Sequence, residues 1–196
     1  TLSPPQAELA TERAREAGVG DQVEIRVADY RDLADDSFDA VASIGMVEHV
    51  GESQAYEYGR QIERVLKRAG RVLNPGIVRV PAEKHGVHIG GEFSNRYVFP
   101  DGELLNLSRM LASLERAGFE IRDVESLREH YEVTLRRWIA NLERHWDDAV
   151  ALAGAERARV WRLYMAGSAN GFHDGGIGVP QALGVLPDED GTSGMP

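Results

Sequence analysis

Apolar and polar residues change period several times along the chain. Residues 4–17 read as a helix, with Ser3 suited to the N-cap, Pro4 to the first helical position and Gly18 to the stop. "QVEIRVADY" (22–30) alternates apolar and polar, the period of a strand. "FDAVASIG" (38–45) is a near-continuous apolar run, which predicts a strand covered on both faces. Residues 52–68 predict a helix whose apolar stripe includes Tyr56, Ile62, Val65 and Leu66. Residues 70–80 are strand-like but interrupted at Asn74-Pro75-Gly76, and residues 81–95 have no periodicity and several glycines, so they predict a mobile loop.

The second half predicts a helix over 101–118, a strand over 119–127, two long helices over 130–154 and 156–172, and a last strand over 176–187. Pro180 suits an edge position in that strand, because it has no N–H for a ladder. Residues 188–196 read as a disordered tail, so 1–187 forms a single domain. Strands alternate with helices as far as residue 80, the pattern of parallel βαβ units in a doubly wound α/β sheet. Such sheets bind ligands at the carboxyl ends of their strands. Asp29-Tyr30 and Gly45–His49 both fall at such ends, on one edge of the sheet.

Composition narrows the chemistry. A net charge of −10 disfavours nucleic acid as a partner. With no cysteine there is no disulfide, thiolate nucleophile or cysteine-held metal, and the cytoplasm is the simplest compartment. No metal site is expected. No apolar run approaches the ~20 residues of a membrane span. The chain opens on a strand-end tripeptide that leads straight into a helix, which suggests sequence upstream of Thr1.

Taken alone, the candidate residues have plain explanations. Glu48-His49 suits a helix start, Thr1 to Gln6 a capped helix, Asp29-Tyr30 a turn, and Tyr131 a core aromatic. A longer set of segments changes their weight: "TLSPPQ" (1–6), "VADYRD" (27–32), "FDAVASIGMVEHVG" (38–51), "RVLNPGI" (71–77), "RYVFPDGEL" (96–104), "AGFEIRDVESLREHYEVTLRRW" (117–138) and "VWRLYMAGSANGF" (160–172). In this order the chain resembles the S-adenosylmethionine-dependent cyclopropane fatty acid and mycolic acid cyclopropane synthases. "NPGI", "FPDGELLNLS" and the closing "NGF" are most similar to the subgroup that makes 10-methyl, tuberculostearic-type fatty acids.

The resemblance implies a class I methyltransferase fold, a Rossmann-like doubly wound sheet, with one βα unit absent before Thr1. The loop 81–95 and the helices 130–172 would form a lipid-binding cap. Thr1, Gln6, Asp29, Tyr30, Ile44 and Gly45 match positions that hold S-adenosylmethionine. Glu48, Ile77 and Tyr131 match positions around an active-site bicarbonate, with His49 orienting neighbours and Trp138 packing or lining an acyl channel. Pro75 departs from the pattern, since the family has a histidine there, and His85 or His88 could substitute for it.

The implied reaction is methyl transfer to the double bond of an unsaturated phospholipid acyl chain at the inner membrane surface. A cyclopropane or a methylene-branched chain results, the latter then saturated by a flavin- or NADPH-dependent reductase. Arg136, Arg137 and Arg144 could meet lipid headgroups, and homo-oligomer formation stays open. A small-molecule methyltransferase and a degenerate domain that binds lipid or a partner are the alternatives.

Overall fold

The computed structural model describes residues 1–35, 38–80, 92–100 and 102–195. Four strands form one sheet in the order β1 (Phe38–Ala42), β2 (Leu66–Pro75), β6 (Pro180–Val185) and β4 (Glu120–Ser126). β1 and β2 run parallel, whereas β6 is inserted antiparallel to both of its neighbours. A separate two-stranded ribbon pairs β3 (Val78–Arg79) with β5 (Ile177–Gly178).

The core has two parts. On one face of the sheet, α2 (Ala55–Val65) and α4 (Leu107–Arg116) bring Tyr58, Ile62, Met110 and Leu114 against Leu66 and Val72. The stripe of α2 is Ala55, Tyr58, Gly59, Ile62 and Val65, the spacing of one helical face. The second cluster joins α5 (Arg128–Arg144) and α7 (Ala155–His173) through Leu135, Met165, Ala169 and Phe172, closed by Ile177 and Val179. Each such side chain contributes roughly 1.5–3 kcal/mol when fully buried. The remaining helices are α1 (Pro4–Glu16), the short α3 (Glu92–Tyr97) and α6 (Trp146–Ala153), which His145 separates from α5.

Several expectations need correction. The strand expected over 22–30 does not form; residue 1 alone pairs with this segment, the Thr1 amine donating to Arg26 O and Ala28 N donating to Thr1 O, both at 3.1 Å. Alternation specifies extension, but a strand needs a hydrogen-bonded neighbour. β1 is an edge strand and largely exposed, Phe38 being 37% exposed, so its apolar run is not covered on both faces. Tyr56 lies off the buried stripe at 48% exposure, and Tyr58 takes its place. The helix expected from residue 101 begins at Leu107, and the one expected over 130–154 is two helices. Pro180 stands in an interior strand, tolerated because it is that strand's first residue. In the tail Asp188 N donates to Thr192 O within a turn, and the Arg71 guanidinium on β2 donates to Gly194 O.

Candidate functional site

The parallel strands β1 and β2 end side by side, and the chain after β1 crosses over the end of β2. Ser43 N donates to Leu73 O at 2.9 Å and Gly45 N to Pro75 O at 3.3 Å, extending the ladder to the strand ends. Residues Val47–His49 then make one 3₁₀ turn, anchored by the buried Val47. Gly76 permits the crossing: a Cβ there would lie 2.3 Å from Val47 Cγ1 and 3.7 Å from both Glu48 carboxylate oxygens. Glu48 is held from below, its Oε1 accepting the Ile77 N–H at 2.7 Å. Its Oε2 is buried and has no hydrogen-bond partner among the described residues. A buried acceptor left unmade costs on the order of 1–3 kcal/mol, more when charged, so this oxygen calls for a donor beyond the described residues.

Glu48 lines a cavity of about 1010 Å³ whose walls are mostly apolar. Ile44, Gly45, His49, Ile77 and Tyr131 line it as well, so the structure gathers both strand ends and α5 around one space. Ile44 is 72% exposed, an apolar side chain presented at a strand's carboxyl end. The Tyr131 ring is tilted against Phe172 with centroids 5.4 Å apart.

A chain of edge-to-face rings runs along the same cavity. His49 meets Phe99 at 5.9 Å, Phe99 meets Tyr164 at 5.7 Å, and Tyr164 meets Trp161 at 5.6 Å. Phe99 and Tyr164 line the cavity but were not among the residues predicted for the site. Burial raises the Tyr164 hydroxyl above its usual pKa, opposed by a hydrogen bond with Ser168 and assisted by the charge of Glu48. The sequence signal for Tyr164 was only its place on a helical stripe, which a core residue shares.

The remaining predicted residues form a neighbouring group outside the cavity. Thr1 Oγ1 donates to Gln6 Oε1 at 2.8 Å, and the pairing of Thr1 with residues 26 and 28 brings both beside Asp29 and Tyr30. Asp29 accepts from Arg31 N and its guanidinium, which brings its carboxyl down to about 2. Tyr30 packs edge-on to Tyr58 at 6.1 Å, and burial raises its hydroxyl. Arg64 donates to Leu33 O and Arg31 O, tying this turn to α2.

Trp138 does not join the site. It is 54% exposed and lies outside the cavity lining. Seven residues return to the same helix face but advance about 10 Å along the axis, which carries Trp138 past the cavity walls. Pro75 lines the cavity and supplies no donor. His85 and His88, with most of the loop 81–95, lie outside the described residues. Among the described residues no cluster of His, Asp and Glu could hold a metal ion.

Comparison with known proteins gives a consistent outcome. A family model described as "Mycolic acid cyclopropane synthetase" matches residues 1–182. A probable fatty acid methyltransferase of Pseudomonas putida is 43% identical over 198 residues, covering 100% of this chain and 50% of the relative. The tuberculostearic acid methyltransferase UfaA1 of Mycobacterium tuberculosis is 35% identical over 187 residues, covering 92% of this chain and 43% of the relative. The chain thus spans about half the length of the curated relatives it matches. Among solved structures, the mycolic acid cyclopropane synthase CmaA1, complexed with SAH and CTAB, superposes with a TM-score of 0.82 at 25% identity, covering 94% of this chain and 67% of that one.

Proposed function

The chain belongs to the mycolic acid cyclopropane synthetase family, and from that premise we propose that it transfers the methyl group of S-adenosylmethionine to the double bond of an unsaturated phospholipid acyl chain. The fold is that of the class I S-adenosylmethionine-dependent methyltransferases. The observation that carries the reading is Glu48 Oε2, a buried and unpartnered carboxylate oxygen of a residue lining an apolar cavity with aromatic walls.

When bound, S-adenosylmethionine supplies an electrophilic methyl group on its sulfonium. Thr1, Gln6, Asp29 and Tyr30, with Ile44 and Gly45, would hold its adenosine. The exposed Ile44 suits the face of a planar base, and the fixed Asp29 carboxylate suits a sugar hydroxyl. An isolated double bond is a weak nucleophile, and methyl transfer to it leaves a carbocation that water would quench. Phe99, Tyr131, Tyr164 and Phe172 keep water out and turn π faces to that charge. Glu48, together with a bound bicarbonate, would carry the general-base role. The carbon chain loses its proton either as a cyclopropane closes or, after a hydride shift, as a methylene forms. Glu48 Oε2 and the Tyr131 hydroxyl are the groups that would hold a bicarbonate, whose hydroxyl would give Oε2 the donor it lacks; the backbone N–H of Ile77 keeps the carboxylate turned that way. His49, edge-on to Phe99, positions that ring.

The similarity to a tuberculostearic acid methyltransferase supports the methylene-branched product, for which a flavin- or NADPH-dependent reductase would be the next reaction. Phospholipid as substrate brings the reaction to the inner membrane surface. No helix of the described residues is long and apolar enough to cross a membrane.

The test is to incubate the protein with S-adenosylmethionine and dioleoyl phospholipid vesicles. Its fatty acids are then analysed by mass spectrometry before and after mild hydrogenation. A one-carbon gain that takes up hydrogen is expected and identifies a methylene branch, whereas a gain that resists hydrogenation identifies a cyclopropane. Absence of any gain, with cofactor binding intact, overturns the substrate assignment.

A further inference from the structure

We propose that Arg79 is the anion-binding residue of this cavity and selects acyl chains that carry a phosphate headgroup; the proposal rests on the methyl-transfer reading above. Arg79 is the one lysine or arginine among the described residues lining the cavity, whose carboxylates are those of Glu48, Glu103 and Asp174. Its side chain has no hydrogen-bond or ion-pair partner among the described residues. Arg79 is exposed at the cavity wall, and its guanidinium, paired with none of those carboxylates among the described residues, has donors to offer a ligand.

The backbone beneath it is fixed. Arg79 N donates to Leu105 O at 2.8 Å, Val80 N donates to Gly176 O at 3.1 Å, and Arg79 pairs with Ile177 in the two-stranded ribbon. Ile77 and Arg79 both line the cavity, while Val78 between them is buried in the core. Glu48 is held at the Ile77 N–H, and Arg79 stands two residues further along the chain, about 6.6 Å if extended. The long arginine side chain adds reach beyond that, toward a phosphate that sits past the glycerol ester of a lipid whose mid-chain double bond lies at Glu48. The planar fork of arginine matches two phosphate oxygens at once, which a lysine ammonium does not. The same phosphate chemistry could come from a phospholipid or from free phosphate.

The test is calorimetric titration of the native protein, Arg79→Gln and Arg79→Lys with dihexanoylphosphatidylglycerol and, separately, with inorganic phosphate. The expected result is lipid binding weakened about ten-fold or more by Arg79→Gln and by less in Arg79→Lys. Equal lipid binding by native protein and Arg79→Gln, or no lipid binding by the native protein, overturns the proposal. Inorganic phosphate bound as tightly as the lipid would assign the site to free phosphate and overturn headgroup selection. In turnover, the kcat/KM ratio for dioleoylphosphatidylglycerol over methyl oleate should fall about ten-fold in Arg79→Gln, through KM; equal losses on both substrates overturn selectivity. Because binding is read without turnover, a protein that binds lipid through Arg79 yet methylates nothing refutes the methyl-transfer reading alone.

Discussion

Glu48 and Ile77 meet across the ends of two parallel strands: the Ile77 N–H donates to one carboxylate oxygen at 2.7 Å and leaves the other buried without a partner among the described residues. The pairing divides the carboxylate into an anchored half and a half open to the role proposed for it. Strand ends position it, so its place depends on the sheet rather than on a flexible loop.

Replacing Glu48 by Gln should separate those halves. A glutamine carbonyl can still accept from Ile77, so the fold and its thermal midpoint should hold. The proton acceptor is gone, and kcat should fall by about 10²–10⁴-fold. Steady-state turnover on dioleoyl vesicles, with a melting curve alongside, checks both parts. Retention of full turnover would remove Glu48 from the mechanism.

Gly76→Ala should damage the site from beneath. The added Cβ would lie 2.3 Å from Val47 Cγ1, and Val47 is buried, so the turn carrying Glu48 must move. Overpacking of this kind costs roughly 1–3 kcal/mol. For a chain of this size each kcal/mol lowers the melting midpoint by about 2–4 °C. Turnover should fall further than stability explains, because the displaced turn carries the base. Differential scanning calorimetry and kcat measured on the same preparation separate the two effects.

Asp29 should contribute to the acid limb of stability. Its carboxyl is brought down to about 2, first by the Arg31 guanidinium and then by the Arg31 N–H. Because its folded pKa is depressed, its contribution is present above the unfolded value of about 3.9 and is lost as pH falls toward about 2. Asp29→Asn should flatten the dependence of unfolding free energy on pH within that window and leave it unaltered at neutral pH. Urea titrations across the acid range measure the slope.

How much of this could be read in the sequence depends on which physical signal each residue carries. The place of Ile44, Gly45 and Glu48 at a strand's carboxyl end was legible in the apolar run that stops there, whereas the roles expected of them came only with the family resemblance. The exposure of that strand was not legible, because periodicity describes one strand and cannot name its neighbours. For the same reason residues 22–30 read as a strand, while the structure gives them a ladder of one residue. The antiparallel insertion of β6 leaves no trace in periodicity either, since alternation is the same in both directions. Phe99 and Tyr164 come from separate segments and meet only through tertiary packing. Trp138 misled because helical phase fixes a face, not a height along the axis.

The buried polar cluster behind the site offers a last prediction. The Tyr58 hydroxyl lies 2.7 Å from Ser43 Oγ and 2.9 Å from Asn74 Oδ1. It has one proton, so it gives that proton to Asn74 and accepts from Ser43, whose hydrogen bond opposes the rise that burial imposes on its pKa. Asn74 is fully buried, and its Nδ2 has no partner among the described residues. Tyr58→Phe would strip Asn74 of its remaining side-chain bond and should cost about 1–3 kcal/mol, the penalty for an unsatisfied buried amide. Replacing both partners by apolar groups of similar shape removes that penalty. Tyr58→Phe combined with Asn74→Leu should therefore lose less stability than the two single changes added together, with a coupling of about 0.5–3 kcal/mol. Denaturant unfolding of the four proteins of this cycle measures it. Simple additivity would mean that the Tyr58 hydroxyl does not satisfy Asn74, and that the amide finds its partner elsewhere.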